Sequence, residues 1–222
     1  MINLKYVNRI TFPHNYVTTE RDNKSKFAKG TVSIGISGRL KFSDKIYYMQ
    51  TVTETIDKKE LLTSTGKSIS GMLDLMTPLD NKEANTVPYK DSWTAAMLFR
   101  HVSKSLNAMS GAMRMDSKPA DRDPGEKIPE LKKVFLDFSS KMKSPDFIVP
   151  ENGPYEKQSI SEELKNSFRL LKESAENANL TELVEGLPLG PITKLEILHF
   201  VMYHSQRHLH QMKKICKALQ ET

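Results

Sequence analysis

The stretch HFVMYHSQRHLHQM, residues 199–212, holds four of the chain's six histidines. If it is helical, each residue turns about 100° from the last. His204 and His208 then lie about 40° apart, one turn from each other on one face. Gln211 falls about 20° from His204, and Arg207 about 60° away on the same side. His199 is about 140° from His204, and His210 about 160° from His208. The cluster therefore splits. His204 and His208 can share one ion, while His199 and His210 are expected to face solvent.

The helix around these residues is well marked. Leu198, Val201, Met202, Leu209, Met212, Ile215 and Leu219 form an apolar stripe over about 194–220. Thr193 and Glu196 have capping-box spacing, and Pro191 lies just before them. Three more long helices are predicted upstream. The first covers about 52–77, on Leu61, Leu62, Ile69, Met72, Leu73 and Met76, and Pro78 ends it. The second covers about 92–114, capped by Asp91 or Ser92, with Trp93, Met97, His101, Ser105, Ala108 and Ala112 along one side. The third covers about 160–178, with a capping-box pattern at Ser159 and Glu162 and a face of Leu164, Phe168, Leu171 and Ala175. Between the second and third lies a connection of about 115–158. It contains a short helix in PELKKVFLDFSSKM and an extended run in SPDFIVPENGPY, where Pro145, Pro150 and Pro154 deny helix. The fold class is all-α: a four-helix bundle with one long crossover between helices 2 and 3.

His208 falls within the apolar stripe of the last helix and His204 at its edge. His101 shares a side of the second helix with Trp93 and Met97. An inward imidazole is costly without a partner, and a metal is one such partner. An i, i+4 pair plus a histidine from a neighbouring helix makes a three-ligand set that leaves positions open for water or substrate. Burial among ordinary hydrogen bonds is the alternative. A zincin site is excluded, because Ser205 stands where that motif needs its general-base glutamate. Cys216, two turns beyond His208, is expected to pack as a small apolar residue.

SWTAAMLFRHVSKSL (92–106), followed about a hundred residues later by GPITKLEILHFVMYHSQRHLHQMKKI (190–215), resembles the DinB/YfiT-like metalloenzyme superfamily. In that family a tryptophan precedes the first metal histidine by eight residues, as Trp93 precedes His101. The last helix carries His-x-x-x-His-x-x-Gln, matched by His204, His208 and Gln211. The resemblance runs from about Met49 to Leu219. It implies an up-down-down-up four-helix bundle, often dimeric. It also implies a divalent zinc or nickel ion on three histidines, here His101, His204 and His208, with Trp93 packing near the base of its helix rather than ligating.

Characterised relatives include thiol-dependent transferases and isomerases, so the function expected is a metal-dependent enzyme, with a small-thiol-dependent S-transferase as the leading case. Its partner would be a small-molecule substrate, a low-molecular-weight thiol. Gln211 would orient a ligand imidazole from behind, and Arg207 or Arg100 would hold an acidic substrate group or serve only as surface charge. No separate general base is identified. A metal-dependent hydrolase and a non-catalytic metal- or ligand-binding module in stress response are the alternatives.

Residues 1–48 lie outside the resemblance. Residues 1–47 carry nine Lys/Arg against three Asp/Glu, whereas the rest of the chain is balanced at 24 each, so the formal charge of +6 belongs to this segment alone. That confinement argues against nucleic acid as a partner. TVSIGIS and RLKFSDKIYY are candidate short strands, and the segment is expected to be a non-helical extension of low order before a bundle over 49–222. Met49 is a candidate natural start. With one cysteine, Cys216, no disulfide can form within the chain, which fits a reducing cytoplasm. No run approaches the roughly 18 apolar residues of a membrane span, and the N-terminus lacks the apolar core of a signal peptide, so no membrane partner is expected.

Overall fold

The computed structural model describes the backbone of residues 42–221 and the side chains of residues 58–221. Four long helices dominate: α1 (Phe42–Met76), α3 (Ala95–Met113), α5 (Lys157–Glu176) and α6 (Lys194–Gln220). Two short ones, α2 (Asn81–Ala84) and α4 (Ile128–Phe135), lie in the connections. No described helix is long and apolar enough to cross a membrane. The candidate strand TVSIGIS lies outside the described residues. The second candidate strand does not survive, because α1 is already helical from Phe42. No proline or glycine interrupts the sequence between Phe42 and Thr65, so nothing stops the helix from extending upstream of 52. Helix therefore occupies the last residues of the extension expected to be non-helical.

Each long helix buries the face that its spacing marks. α1 turns Leu61, Thr65, Ile69, Met72 and Met76 inward, and α5 turns Ile160, Leu164, Ser167, Leu171 and Ala175 inward. Specific contacts fix the directions. Gln206 reaches Ser64 and the Cys216 thiol points at the Leu75 carbonyl, so α6 runs parallel to α1. Arg100 pairs with Glu163 and the Ser110 hydroxyl donates to the Leu170 carbonyl, so α3 and α5 are parallel. The Lys58 ammonium donates to the carbonyl of Ala178, and that of Lys157 to those of Thr77 and Leu79, so α1 and α5 are antiparallel. The result is an up-down-down-up bundle. At Gly71 an added Cβ would stand 3.1 Å from a Leu209 methyl, so the absent side chain lets α1 and α6 approach closely.

Two further helix starts differ from expectation. α3 is capped by Thr94, whose hydroxyl accepts from the Met97 N–H at 3.1 Å, not by Asp91 or Ser92. Asp91 has φ 59°, a left-handed turn conformation, so the chain is still turning there. α5 is capped by Glu156, which accepts from the Ser159 N–H at 2.6 Å, so Ser159 lies inside the helix. The Thr193–Glu196 capping box of α6 forms as read.

That box is part of a larger network. Glu196 is fully buried. Its carboxylate accepts two bonds from Arg122 at 2.7 Å, one from the Lys127 N–H at 2.7 Å and one from the Thr193 N–H at 2.9 Å. Burial alone would raise its pKa, but Arg122 and the backbone donors outweigh burial and hold it below the ordinary carboxylate value. Beside it a small antiparallel sheet, β1 (Lys118–Pro119), β2 (Glu182–Val184) and β3 (Ile192–Thr193), joins the start of the crossover to the α5–α6 connection. Lys194 closes the cluster through Glu182 at 2.9 Å and Ser117 at 2.8 Å.

Two outcomes are expected. Glu196→Ala removes a fully buried carboxylate and leaves half-buried Arg122 and the Lys127 and Thr193 N–H groups without their acceptor, and should cost about 3–5 kcal/mol in urea unfolding. Because the folded pKa is depressed, the wild-type contribution is complete above the ordinary carboxylate range and fades as pH falls below it; the variant should lose that part of the acid dependence. We also propose that the bundle does not require residues 1–48. A chain starting at Met49 should keep its helical circular dichroism and cooperative melting, and insolubility or a broad melt would overturn this.

Candidate metal centre

His101 on α3 meets His204 and His208 on α6 between these antiparallel helices. The three Nε2 atoms form a triangle with edges of 3.3 Å (His101–His204), 3.1 Å (His101–His208) and 3.0 Å (His204–His208). All three rings are buried, each 6 % exposed or less. The i, i+4 spacing places the α6 pair on one face. α3 supplies the third ring because its Leu98, Phe99, Val102 and Leu106 pack into the core around His101.

The outer nitrogens decide what the inner ones can do. His101 Nδ1 lies 2.9 Å from the Ile148 carbonyl, which can only accept, so Nδ1 carries the proton. His208 Nδ1 donates likewise to Gln211 Oε1 at 3.0 Å. In the neutral rings both inner nitrogens therefore bear bare lone pairs, 3.1 Å apart, and neither can donate to the other. Burial drives all three imidazoles toward the neutral form. His204 is pushed well below its ordinary value by burial and then by His208, His101 and Arg207; burial, then His101, takes His208 down to about 3. His101 is lowered by burial, against the opposing bond to Ile148.

Converging neutral nitrogens are what a metal needs, and the three histidines could hold an ion. His101, His204 and His208 would hold such an ion through Nε2, and it would supply Lewis acidity there. No Asp, Glu or Cys joins the group among the described residues.

Aromatic rings wall the centre. Trp93 packs at 4.9 Å from the His101 ring, just before α3, and is not a ligand. Phe200 stacks at 5.2 Å on His204, and Phe135 of α4 stands at 6.0 Å from it. His199 and His210 stay outside the triangle, but they are half-buried rather than solvent-facing. His210 stacks on Phe138 at 4.4 Å, and His199 lies against Tyr203.

The two arginines singled out from the sequence are engaged with the fold. Arg100 pairs with Glu163 and, at 3.0 Å, with Glu151; Lys104 adds a bond to Glu151 at 2.9 Å. Arg100 and then Lys104 hold the Glu151 carboxyl down to about 2. This clamp, with Lys104 on the Val149 carbonyl at 2.8 Å, fixes the segment that presents the Ile148 carbonyl to His101. Arg207 donates to the carbonyls of Phe135, Asp137 and Ser140. Sequence reasoning missed Ile148, because a backbone acceptor has no residue signature. The prolines bracketing it were the only signal.

No curated protein matches the chain. A crystal structure of a conserved protein from Enterococcus faecalis is similar in fold, with a TM-score of 0.53 at 16% identity, covering 74% of this chain and 97% of that one. The family model described as DinB superfamily matches residues 67–212, a span that includes all three histidines, the whole of α3 and α6 as far as Met212. The chain belongs to the DinB superfamily.

Proposed function

We propose that this protein is a metal-dependent enzyme that transfers a small thiol to an electrophile, with zinc or nickel held by His101, His204 and His208. The observation that carries this reading is the triangle of three neutral, buried Nε2 atoms 3.0–3.3 Å apart. A divalent ion bound there supplies Lewis acidity that lowers the pKa of a thiol beside it. The chain's own residues do the rest. Ile148 and Gln211 fix the tautomers of His101 and His208 and keep their inner lone pairs turned to the centre. Trp93, Phe135 and Phe200 exclude water around the rings.

The thiol reading rests on the family resemblance and not on the donor set, since three histidines also hold zinc in sites that activate water. The cluster holds three histidines and no carboxylate among the described residues. A thiol, with a pKa near about 8.5, needs far less help to ionise than water does. The thiol gives up its proton to solvent, the sulfur forms a bond to the electrophilic carbon, and the bond from that carbon to the leaving group breaks, the leaving group taking the electron pair. Arg100 and Arg207 are better assigned to holding the crossover than to binding substrate, since each already has its partners within the fold. We read the enzyme as a cytoplasmic homodimer, on the single cysteine and on the family resemblance.

Metal content should separate the histidines. His101→Ala, His204→Ala and His208→Ala should each lose stoichiometric zinc or nickel by elemental analysis while still melting cooperatively. His199→Ala and His210→Ala should keep it. Normal metal in His101→Ala, or its loss in His210→Ala, would point to a different site. The metal-loaded protein with a small thiol and monochlorobimane should form the thioether faster than the His208→Ala variant does. Turnover of esters or amides without thiol dependence would move the assignment to a hydrolase, and bound metal with no turnover of either kind to a binding module.

A further inference from the structure

The crossover touches the histidine cluster twice. At Phe135 its ring lies 6.0 Å from that of His204, and at Ile148 its carbonyl takes the His101 hydrogen bond. The twelve residues between, 136–147, run from one contact to the other and are mostly exposed. Their own hydrogen bonds are local: the Ser139 N–H and hydroxyl donate to the Asp137 carboxylate, and the Ser140 hydroxyl donates to the Asp137 carbonyl. Among the described residues, the hydrogen bonds that reach 137–144 from the rest of the fold come from one side chain, Arg207. One ring contact supplements them, the stack of Phe138 on His210.

Arg207 and His210 lie three residues apart on α6, so they share a face. Arg207 directly precedes His208 in the sequence. It is half-buried and makes no salt bridge among the described residues. A cation kept there without a carboxylate partner, with its fork spread over three carbonyls of one bend, is placed to hold backbone.

We propose that residues 136–147 are the outer wall of the metal centre and that Arg207 is the positioning residue fastening that wall, so that it sets how fast an ion or ligand reaches the three histidines. This rests on the reading of those histidines as a metal site. The wall is anchored firmly at its far end by the Arg100–Glu151–Lys104 clamp; Leu136 packs on the core at its near end, and between them the contacts described are those of Arg207 and the His210 stack. It therefore opens from the Phe138 side, by local unfolding that leaves the bundle intact.

The test uses the full chain, with and without zinc, in wild type, Arg207→Gln and a control, Arg169→Gln, whose side chain pairs with Glu173 on the exposed face of α5. Amide hydrogen exchange in 136–147 and the rate of zinc transfer to excess chromogenic chelator are measured. Arg207→Gln should raise both by at least about tenfold, the equivalent of one lost hydrogen bond to a charged group, with zinc stoichiometry and melting unchanged. Arg169→Gln should change neither. If Arg207→Gln does not melt cooperatively, Phe138→Ala, which removes the second contact without touching α6, carries the same two readouts. Unchanged exchange shows that Arg207 is not the fastener. Faster exchange with unchanged zinc release shows that the segment does not cover the centre. Failure of the wild-type chain to bind zinc or nickel overturns the metal reading and the wall's role together, whereas bound metal with an unaltered release rate overturns the wall alone.

Discussion

Two parallel neighbouring helices cannot be joined by a short turn. α3 and α5 lie side by side and point the same way, so the chain must travel back the length of the bundle between them. That constraint produces the crossover, and the crossover supplies much of what surrounds the histidines. α4 brings Phe135 to His204, and the segment after Pro145 brings the Ile148 carbonyl to His101. A bundle joined only by tight turns would have kept the three rings but would have lacked these flanking groups.

The centre gathers three uncharged imidazoles at one buried point. Burial strips the imidazoles of charge, and the outer hydrogen bonds then force lone pairs toward one another. Such a cluster is held together by the surrounding fold, not by attraction among its members. That fold is the packing on α3 and α6, where residues such as Phe99, Leu98, Val201 and Met212 are buried. A site that is preorganised in this way could take an ion without first having to gather the three imidazoles.

Much of this was legible in the sequence, and the reasons differ by residue. His204, His208 and Gln211 could be placed by the helical period alone, because one helix fixes their relative angles. The four long helices followed from apolar spacing, and the Thr193–Glu196 box from its two residue types. His101 needed more than periodicity. Nothing within α3 says which helix it will face, and only its resemblance-based pairing with Trp93 joined it to the α6 histidines. The caps at Thr94 and Glu156 were misplaced because the turns before them depend on Asp91 φ and on distant partners such as Asn81. Arg122 as the partner of Glu196, 74 residues away, and the three short strands have no local signal at all.

The network at Glu196 also determines where this chain can change length. It pins the first turn of α6 to Arg122 and Lys127, while His204 and His208 lie two and three turns further along. One residue inserted between Glu196 and His204 would rotate both histidines by about 100° relative to that anchor and carry them away from His101. A residue inserted in the turn around Gly186, or in the exposed bend near Met142, meets no such gearing. Insertions and deletions among close relatives should therefore collect in those two bends and be absent from the first two turns of α6.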